Sequence, residues 1–197
     1  MSEVVDARGL ACPAPVVKTR AALKEGAKEI EVLVDNPTAR DNVCRFASSQ
    51  GCDVKVTEEE GVFRIAVTGQ APEEKDGTAA AGADEGGRKV IALTSDIMGR
   101  GDQELGSILI KAFLNTLAES ERLPWRMVLF NHGVNLAVEG TDTAQALCNL
   151  ENLGVEVLVC GTCLDYFCLK DRLAAGTVSN MYDILDTMLS ASNSITI

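Results

Sequence analysis

Apolar and polar residues alternate along four short runs of the first seventy residues, and between them apolar residues recur at helical spacing twice. Glu3 to Asp6 begins the series as a short strand. Pro13 to Glu25 then predicts a helix closed by Gly26, with an apolar stripe of Val16, Val17, Ala21 and Leu23 beside Arg20. The β-branched run Ile30, Val32 and Val34 predicts a strand over 29–34, and the turn Asp35-Asn36-Pro37-Thr38 feeds a helix from Ala39 to Ser49 that stops at Gly51. Asp53 to Thr57 and Val62 to Val67 alternate again, joined across Glu58-Glu59-Glu60-Gly61 as a hairpin. The order is βαβαββ, a two-layer sandwich whose helices cover one face of a mixed sheet.

From Gln70 to Arg88 the pattern stops: no large apolar residue interrupts the alanine, glycine and acidic residues, so the stretch has nothing to bury against the entropy of ordering it. It predicts a flexible linker over 71–88 between domains at 1–70 and 89–197, with a root-mean-square reach on the order of 20 to 25 Å. Beyond it a strand over Lys89–Thr94, a helix from about Asp102, a strand over Arg126–Phe130, a loop through His132-Gly133-Val134, a helix near Thr143–Leu153 and a strand over Val155–Val159 alternate. Helical segments near Asp165–Ala174 and Asn180–Ser190 and a strand over Ser194–Ile197 complete the series. Leu105, Ile108, Leu109, Ala112, Leu114 and Leu117 make the predicted packing stripe of the first of these helices. Strand-helix alternation predicts a three-layer, mostly parallel α/β/α domain with right-handed crossovers.

The net charge of −11 divides as −2, −3 and −6 over 1–70, 71–88 and 89–197. A chain this acidic, with no basic stripe, is poorly matched to direct contact with nucleic-acid phosphates. No run approaches the roughly 18 apolar residues of a membrane span, and the first residues carry no basic segment leading an apolar one, so the expected location is cytoplasmic, without membrane association. Seven cysteines, an odd number, fit reduced, reactive or buried thiols better than a disulfide framework.

Cys12 stands directly before Pro13, which favours the first helical position, so the sulfur is predicted at a helix cap where unpaired backbone amides and the macrodipole stabilise a thiolate. A lone thiolate of this kind attacks a sulfane sulfur and, without a second cysteine nearby, does not readily resolve to a disulfide. The bland reading, a capping residue alone, is weakened by the prolines Pro13 and Pro15. Cys44 falls with Val43 and Ala47 on a helix face and is predicted core, while Cys52 is buried or incidental. In the second half Cys160-Gly161-Thr162-Cys163 follows a strand and precedes a helix, which places Cys163 at a helix start with Cys160 one loop away. Functional loops of a parallel sheet lie beyond the carboxyl ends of its strands, where Ser95–Gly101 (with Gly99 and Arg100), Asn131–Gly133 and the Cys160–Cys163 segment all fall.

Asp6-Ala7-Arg8-Gly9-Leu10-Ala11-Cys12-Pro13-Ala14-Pro15, with Gly26 and Asp35-Asn36-Pro37, resembles the TusA/SirA-like family of small sulfur-carrier domains. The resemblance implies that Cys12 carries sulfur as a persulfide; Pro13 and Pro15 beside it are expected to face partners, as is Arg20 unless its stem only snorkels from the apolar stripe. Gly99-Arg100-Gly101-Asp102, Asn131-x-Gly133-Val134, Glu139-Gly140, Cys160-Gly161-Thr162-Cys163 and Ser179-Asn180-Met181-Tyr182 resemble the DsrE-like family, and within it the YedF-like branch, which is linked to selenium metabolism. That resemblance implies a sulfurtransferase-like carrier that loads Cys12 from a persulfide donor such as a cysteine desulfurase. The sulfur or selenium passes to Cys163 or to a downstream acceptor protein, with Cys160 beside it and with self-association through the second domain. Cys168 stands where such proteins are expected to have glycine, and is predicted to pack quietly.

Other chemistries compete. Cys160 and Cys163 form a Cys-x-x-Cys of the thiol-disulfide oxidoreductase kind, although no proline lies between them and no thioredoxin-like ββα ending follows. A zinc site from Cys160, Cys163, Cys168 and His132 is chemically possible, but one Cys-x-x-Cys is weak evidence for it. His132 is expected as a loop hydrogen-bonder. Gly99-Arg100-Gly101 lacks the Lys-Ser/Thr ending of a P-loop, so Asp102 is expected only to cap its helix. No cofactor or metal is assigned, and a non-enzymatic redox-responsive regulator is the remaining alternative.

Overall fold

The computed structural model describes residues 3–11, 13–69 and 87–197, which gather around two separate hydrophobic cores. Cys12 and the predicted linker, apart from Gly87 and Arg88, lie outside the described residues.

The first unit runs β1 (Glu3–Asp6), α1 (Ala14–Lys24), β2 (Glu29–Val34), α2 (Pro37–Ser49), β3 (Asp53–Glu59) and β4 (Val62–Thr68). Its sheet has the order β1-β2-β4-β3, with β1 parallel to β2 and the other two pairs antiparallel. Val5 pairs with Val32 and Val32 with Ile65, so the alternate residues of three strands reach one face. That face, with Ile30, Val34 and Val67, packs against Leu23 of α1 and Val43 and Phe46 of α2, all buried. β3 and β4 are joined by only two residues, Glu60 and Gly61, both at positive φ (51° and 78°). A type I′ turn requires that backbone, and its twist matches the strands it joins, so the hairpin is tighter than the sequence predicts.

Both helices differ from expectation at their starts. Asn36 caps α2, its side chain accepting from the Ala39 amide at 2.8 Å, so the helix begins at Pro37. α1 begins at Ala14 with Pro13 in the N-cap position and no side-chain cap, one residue later than predicted. Its buried face is Pro15, Val16, Thr19, Ala22 and Leu23, while Val17 and Ala21 of the predicted stripe are exposed.

The second unit runs β5 (Lys89–Leu93), α3 (Gln103–Ala118), β6 (Arg126–Leu129), a 3-10 segment (Asn131–Ala137), α4 (Asp142–Asn152), β7 (Glu156–Cys160), α5 (Gly161–Tyr166), a 3-10 turn (Lys170–Arg172), β8 (Thr177–Ser179), α6 (Met181–Leu189) and β9 (Asn193–Thr196). All five strands are parallel, in the order β8-β7-β6-β5-β9. Leu93, Leu129 and Val159 lie in register across the middle of the sheet, and β5, β6 and β7 are buried almost end to end, the mark of a sheet covered on both faces.

Two expectations fail here. α3 is capped by Asp102, whose carboxylate accepts from the Leu105 amide at 2.8 Å, but it buries Gly106, Ile110 and Leu114 and leaves Leu105 and Ile108 more than half exposed. The helix is apolar on most of its circumference, so composition does not choose the face. The helix predicted over Asp165–Ala174 is instead two short turns. α5 ends in a Schellman motif: the Cys168 amide donates to the Asp165 carbonyl at 3.0 Å and the Leu169 amide to the Leu164 carbonyl at 2.8 Å. Cys168 takes the left-handed conformation that this motif demands (φ 55°), and it is exposed rather than packed. The three-residue β8 beyond it was not predicted.

Candidate functional site

In the first unit the segment between β1 and α1 leaves the carboxyl ends of two parallel strands, and acidic residues at those ends hold it. Asp6 receives the Arg8 guanidinium through two bonds, of 3.0 and 2.6 Å, and the Arg8 amide at 3.1 Å. That pairing draws the Asp6 carboxyl down to about 2. Asp35, just after β2, accepts the Gly9 amide at 2.7 Å, and Lys18 on α1 donates to the Asp6 carbonyl at 3.0 Å. The chain thus approaches Pro13 along a tethered path, with Ala11 and Pro13 both exposed and the Ala14 amide closing onto the Ala11 carbonyl at 3.0 Å. Arg20 is half-buried. Pro15, predicted to face partners, is buried beneath the first turn, so its part is to set the helix start.

The other two cysteines of this unit have thiols disfavoured as thiolates. Burial pushes the Cys44 thiol up, with Asp41 adding to it, and pushes the Cys52 thiol up as well. Cys44 is only half-buried at the edge of the core it was expected to join.

In the second unit Cys160 is the last residue of β7 and is 1 % exposed, whereas Cys163 is half-buried in α5. The two thiols therefore differ in kind. Burial holds the Cys160 thiol protonated, pushed up to about 12, and the neighbouring Cys163 sulfur adds to the effect. Cys163 has a donor from outside its own segment: the Asn131 backbone amide, from the loop after β6, points at its Sγ at 3.1 Å. Asn131 reaches that position with a left-handed backbone (φ 53°), which asparagine tolerates better than most residues.

Neighbouring contacts hold the loop there. Gly133 lies against the end of β5, where an added Cβ would fall 2.7 Å from the Leu93 carbonyl carbon, so no larger residue fits. Phe130 donates to that same Leu93 carbonyl at 3.2 Å. On the other side the His132 ring lies against Phe167, their centres 5.0 Å apart, so His132 acts through its ring. Asn135 ties the segment to Asp96 at 2.8 Å.

His132 and Asn135 also line an open cavity of about 630 Å³ between α3 and the start of α4, with Asp96, Gln103, Lys111 and Asp142 on its rim. The sequence held no sign of this cavity. Gly99 and Arg100 are exposed on the loop after β5, and no described contact joins them to Cys163. Among the described residues no cluster of three or more His, Cys, Asp or Glu side chains is placed to hold a metal ion, and no helix is long and apolar enough to cross a membrane. The Asn131 amide is the part of the site that sequence reasoning missed as a donor. Its one sequence signal is the Asn-His-Gly turn, which admits a left-handed residue.

The family description "Sulfurtransferase TusA" matches residues 3–69. Over 66 residues the chain is 42 % identical to "Putative sulfur carrier protein MJ0990" of Methanocaldococcus jannaschii, covering 32 % of this chain and 88 % of that one. Through this segment the chain belongs to the TusA family. A second relative, "Putative sulfur carrier protein YrkI" of Bacillus subtilis, is 34 % identical over 61 residues, 30 % of this chain and 81 % of its own. Among solved structures, a SirA-like protein from Desulfitobacterium hafniense matches 34 % of this chain and 96 % of its own at 32 % identity, with a TM-score of 0.32. The ychN protein of E. coli matches 56 % of this chain and 99 % of its own at 19 % identity, with a TM-score of 0.44. The TusA segment coincides with the whole of the first unit's sheet, from Glu3 to Thr68.

Proposed function

We propose that this protein carries sulfane sulfur on Cys12 and hands it on, with Cys163 as an acceptor within the same chain. Membership of the TusA family over residues 3–69 is the observation that carries this reading, because both matched relatives are named as sulfur carriers. Cys44 and Cys52 have thiols raised by burial, which leaves Cys12 as the nucleophile of that segment. The Cys12 thiolate attacks the outer sulfur of a donor persulfide, such as one held on a cysteine desulfurase. The donor's S–S bond breaks, its electron pair leaves on the donor thiolate, and Cys12 becomes a persulfide.

The second unit is read as DsrE-like and the whole chain as YedF-like, a three-layer parallel domain following the carrier, which sets its task in sulfur or selenium trafficking. The Cys163 thiolate then attacks the outer sulfur in the same way, or an external acceptor thiol does. Pro13 and Arg20 on the carrier, with Gly99 and Arg100 on the second unit, are proposed to meet partners. The burial of Cys160, the first cysteine of the Cys-x-x-Cys, keeps it from meeting a partner disulfide and speaks against the dithiol-oxidoreductase reading.

Intact-mass spectrometry after incubation with a cysteine desulfurase and cysteine tests the reading on wild type, Cys12→Ser and Cys163→Ser. One dithiothreitol-labile sulfur should appear on the wild type and vanish in Cys12→Ser. Equal loading of Cys12→Ser would sink the carrier assignment, and unaltered onward transfer in Cys163→Ser would reject the internal relay.

A further inference from the structure

Cys163 has a backbone amide from a different loop aimed at its sulfur, that of Asn131 at 3.1 Å. The donor comes from another strand's loop, 32 residues away in sequence, so its placement depends on the fold. Three separate contacts fix that loop. Gly133 is pressed against the end of β5, where no side chain fits, the Phe130 amide donates to Leu93, and the His132 ring lies against Phe167 just beyond α5. Between these anchors the backbone turns left-handed at Asn131, and that turn points the amide toward Sγ. Cys160, one turn earlier, is buried, so the partly exposed Cys163 is the sulfur of this pair that outside molecules can reach.

We propose that Asn131 is a positioning residue for Cys163, its left-handed backbone holding an amide that stabilises the negative charge on this sulfur as it attacks and as it leaves. The inference rests on the reading of Cys163 as an acceptor, and it adds the group that makes the acceptor reactive. When the Cys163 thiolate takes the outer sulfur of a persulfide, its S–S bond forms as the donor's breaks and the donor thiolate departs. When Cys163 later gives that sulfur to a second thiolate, the electron pair returns to its own Sγ. The Asn131 amide faces the charge at both moments, and a hydrogen bond to a charged partner is about twice as strong as a neutral one. The asparagine side chain is not required; the φ is.

The test uses the full chain and the rate of Cys163 alkylation by iodoacetamide, read by peptide mass spectrometry, a reaction that needs no sulfur donor. Asn131→Val, whose β-branched side chain resists a left-handed backbone, should slow alkylation at pH 7 about tenfold. Asn131→Gly, which adopts that backbone freely, should restore the pH 7 rate to within about twofold of wild type. Asn131→Ala, a milder backbone penalty, should fall between and covers the case in which the valine variant does not fold. A pH 7 rate in folded Asn131→Val or Asn131→Ala equal to wild type, or a glycine variant as slow as valine, would overturn the proposal. Persulfide loading of Cys163 is measured separately: its absence with the alkylation pattern intact would remove the acceptor reading and leave Asn131's role standing.

Discussion

The two cysteine-bearing segments both leave the carboxyl end of a parallel strand and enter a helix, yet they are built in opposite ways. Between β1 and α1 lie seven residues, of which Arg8 and Gly9 are tied by side-chain carboxylates to the ends of β1 and β2. Between β7 and α5 there is no loop: Cys160 ends the strand and Gly161 begins the helix. The first segment is held at its base, with Arg8, Gly9, Ala11 and Pro13 exposed among its described residues. The second is sunk into its sheet, and its sulfur is served by a neighbouring loop. The lesson is that a cysteine near a strand-to-helix junction meets different surroundings according to how far the chain runs beyond its strand, seven residues in the first case and none in the second.

Breaking the contrast at its root gives the largest effect. Cys12→Ser should abolish sulfur loading of the first unit while leaving the melting temperature unchanged, read by intact mass and calorimetry. Gly133→Ala should then cost about 3 kcal/mol, since the new methyl has no room beside the Leu93 carbonyl and the loop after β6 must move. Urea denaturation gives the figure, and a change under about 1 kcal/mol would mean that the loop is not pinned.

The pH dependence sharpens the difference between the cysteines. The Cys160 thiol is raised to about 12 in the folded chain, above its unfolded value of 9.0, so the folded state keeps a proton that the unfolded state has lost. The contribution is fully present below about pH 9 and is lost as pH rises toward about 12, by at most about 1.4 kcal/mol per pH unit. Relative to wild type, Cys160→Ala should show a flatter fall in stability over that window, and parallel curves would contradict the assignment. Asp6 has the opposite sign: held at about 2 by Arg8, its contribution is present above pH 3.8 and fades as pH falls toward 2. The smallest effect is at Cys168, where glycine relieves the left-handed backbone and should raise stability by about 0.5 to 1 kcal/mol, the strain relieved less the extra freedom of glycine unfolded.

Much of the fold was legible because its signals are local. Alternation marked β2 and β4, Asp102 marked a helix start, and Gly26 and Gly51 marked helix ends. Failures gathered where a neighbour had to choose. α3 carries apolar residues around most of its surface, so only its seat on the sheet decided that Ile110 and Leu114 go in and Leu105 and Ile108 stay out. Pro15 read as a partner contact because the Cys-Pro-x-Pro element does not reveal which of its prolines lies beneath the helix.

The sequence by itself determined the two-part division, the alternation of elements and the cysteines worth testing, since periodicity, turn residues and charge act over a few residues. The tertiary structure alone decided which cysteine is starved of water and which is met by an amide from a distant loop. Desolvation of Cys160 and the approach of Asn131 to Cys163 both depend on segments dozens of residues apart being packed side by side, which no local pattern encodes.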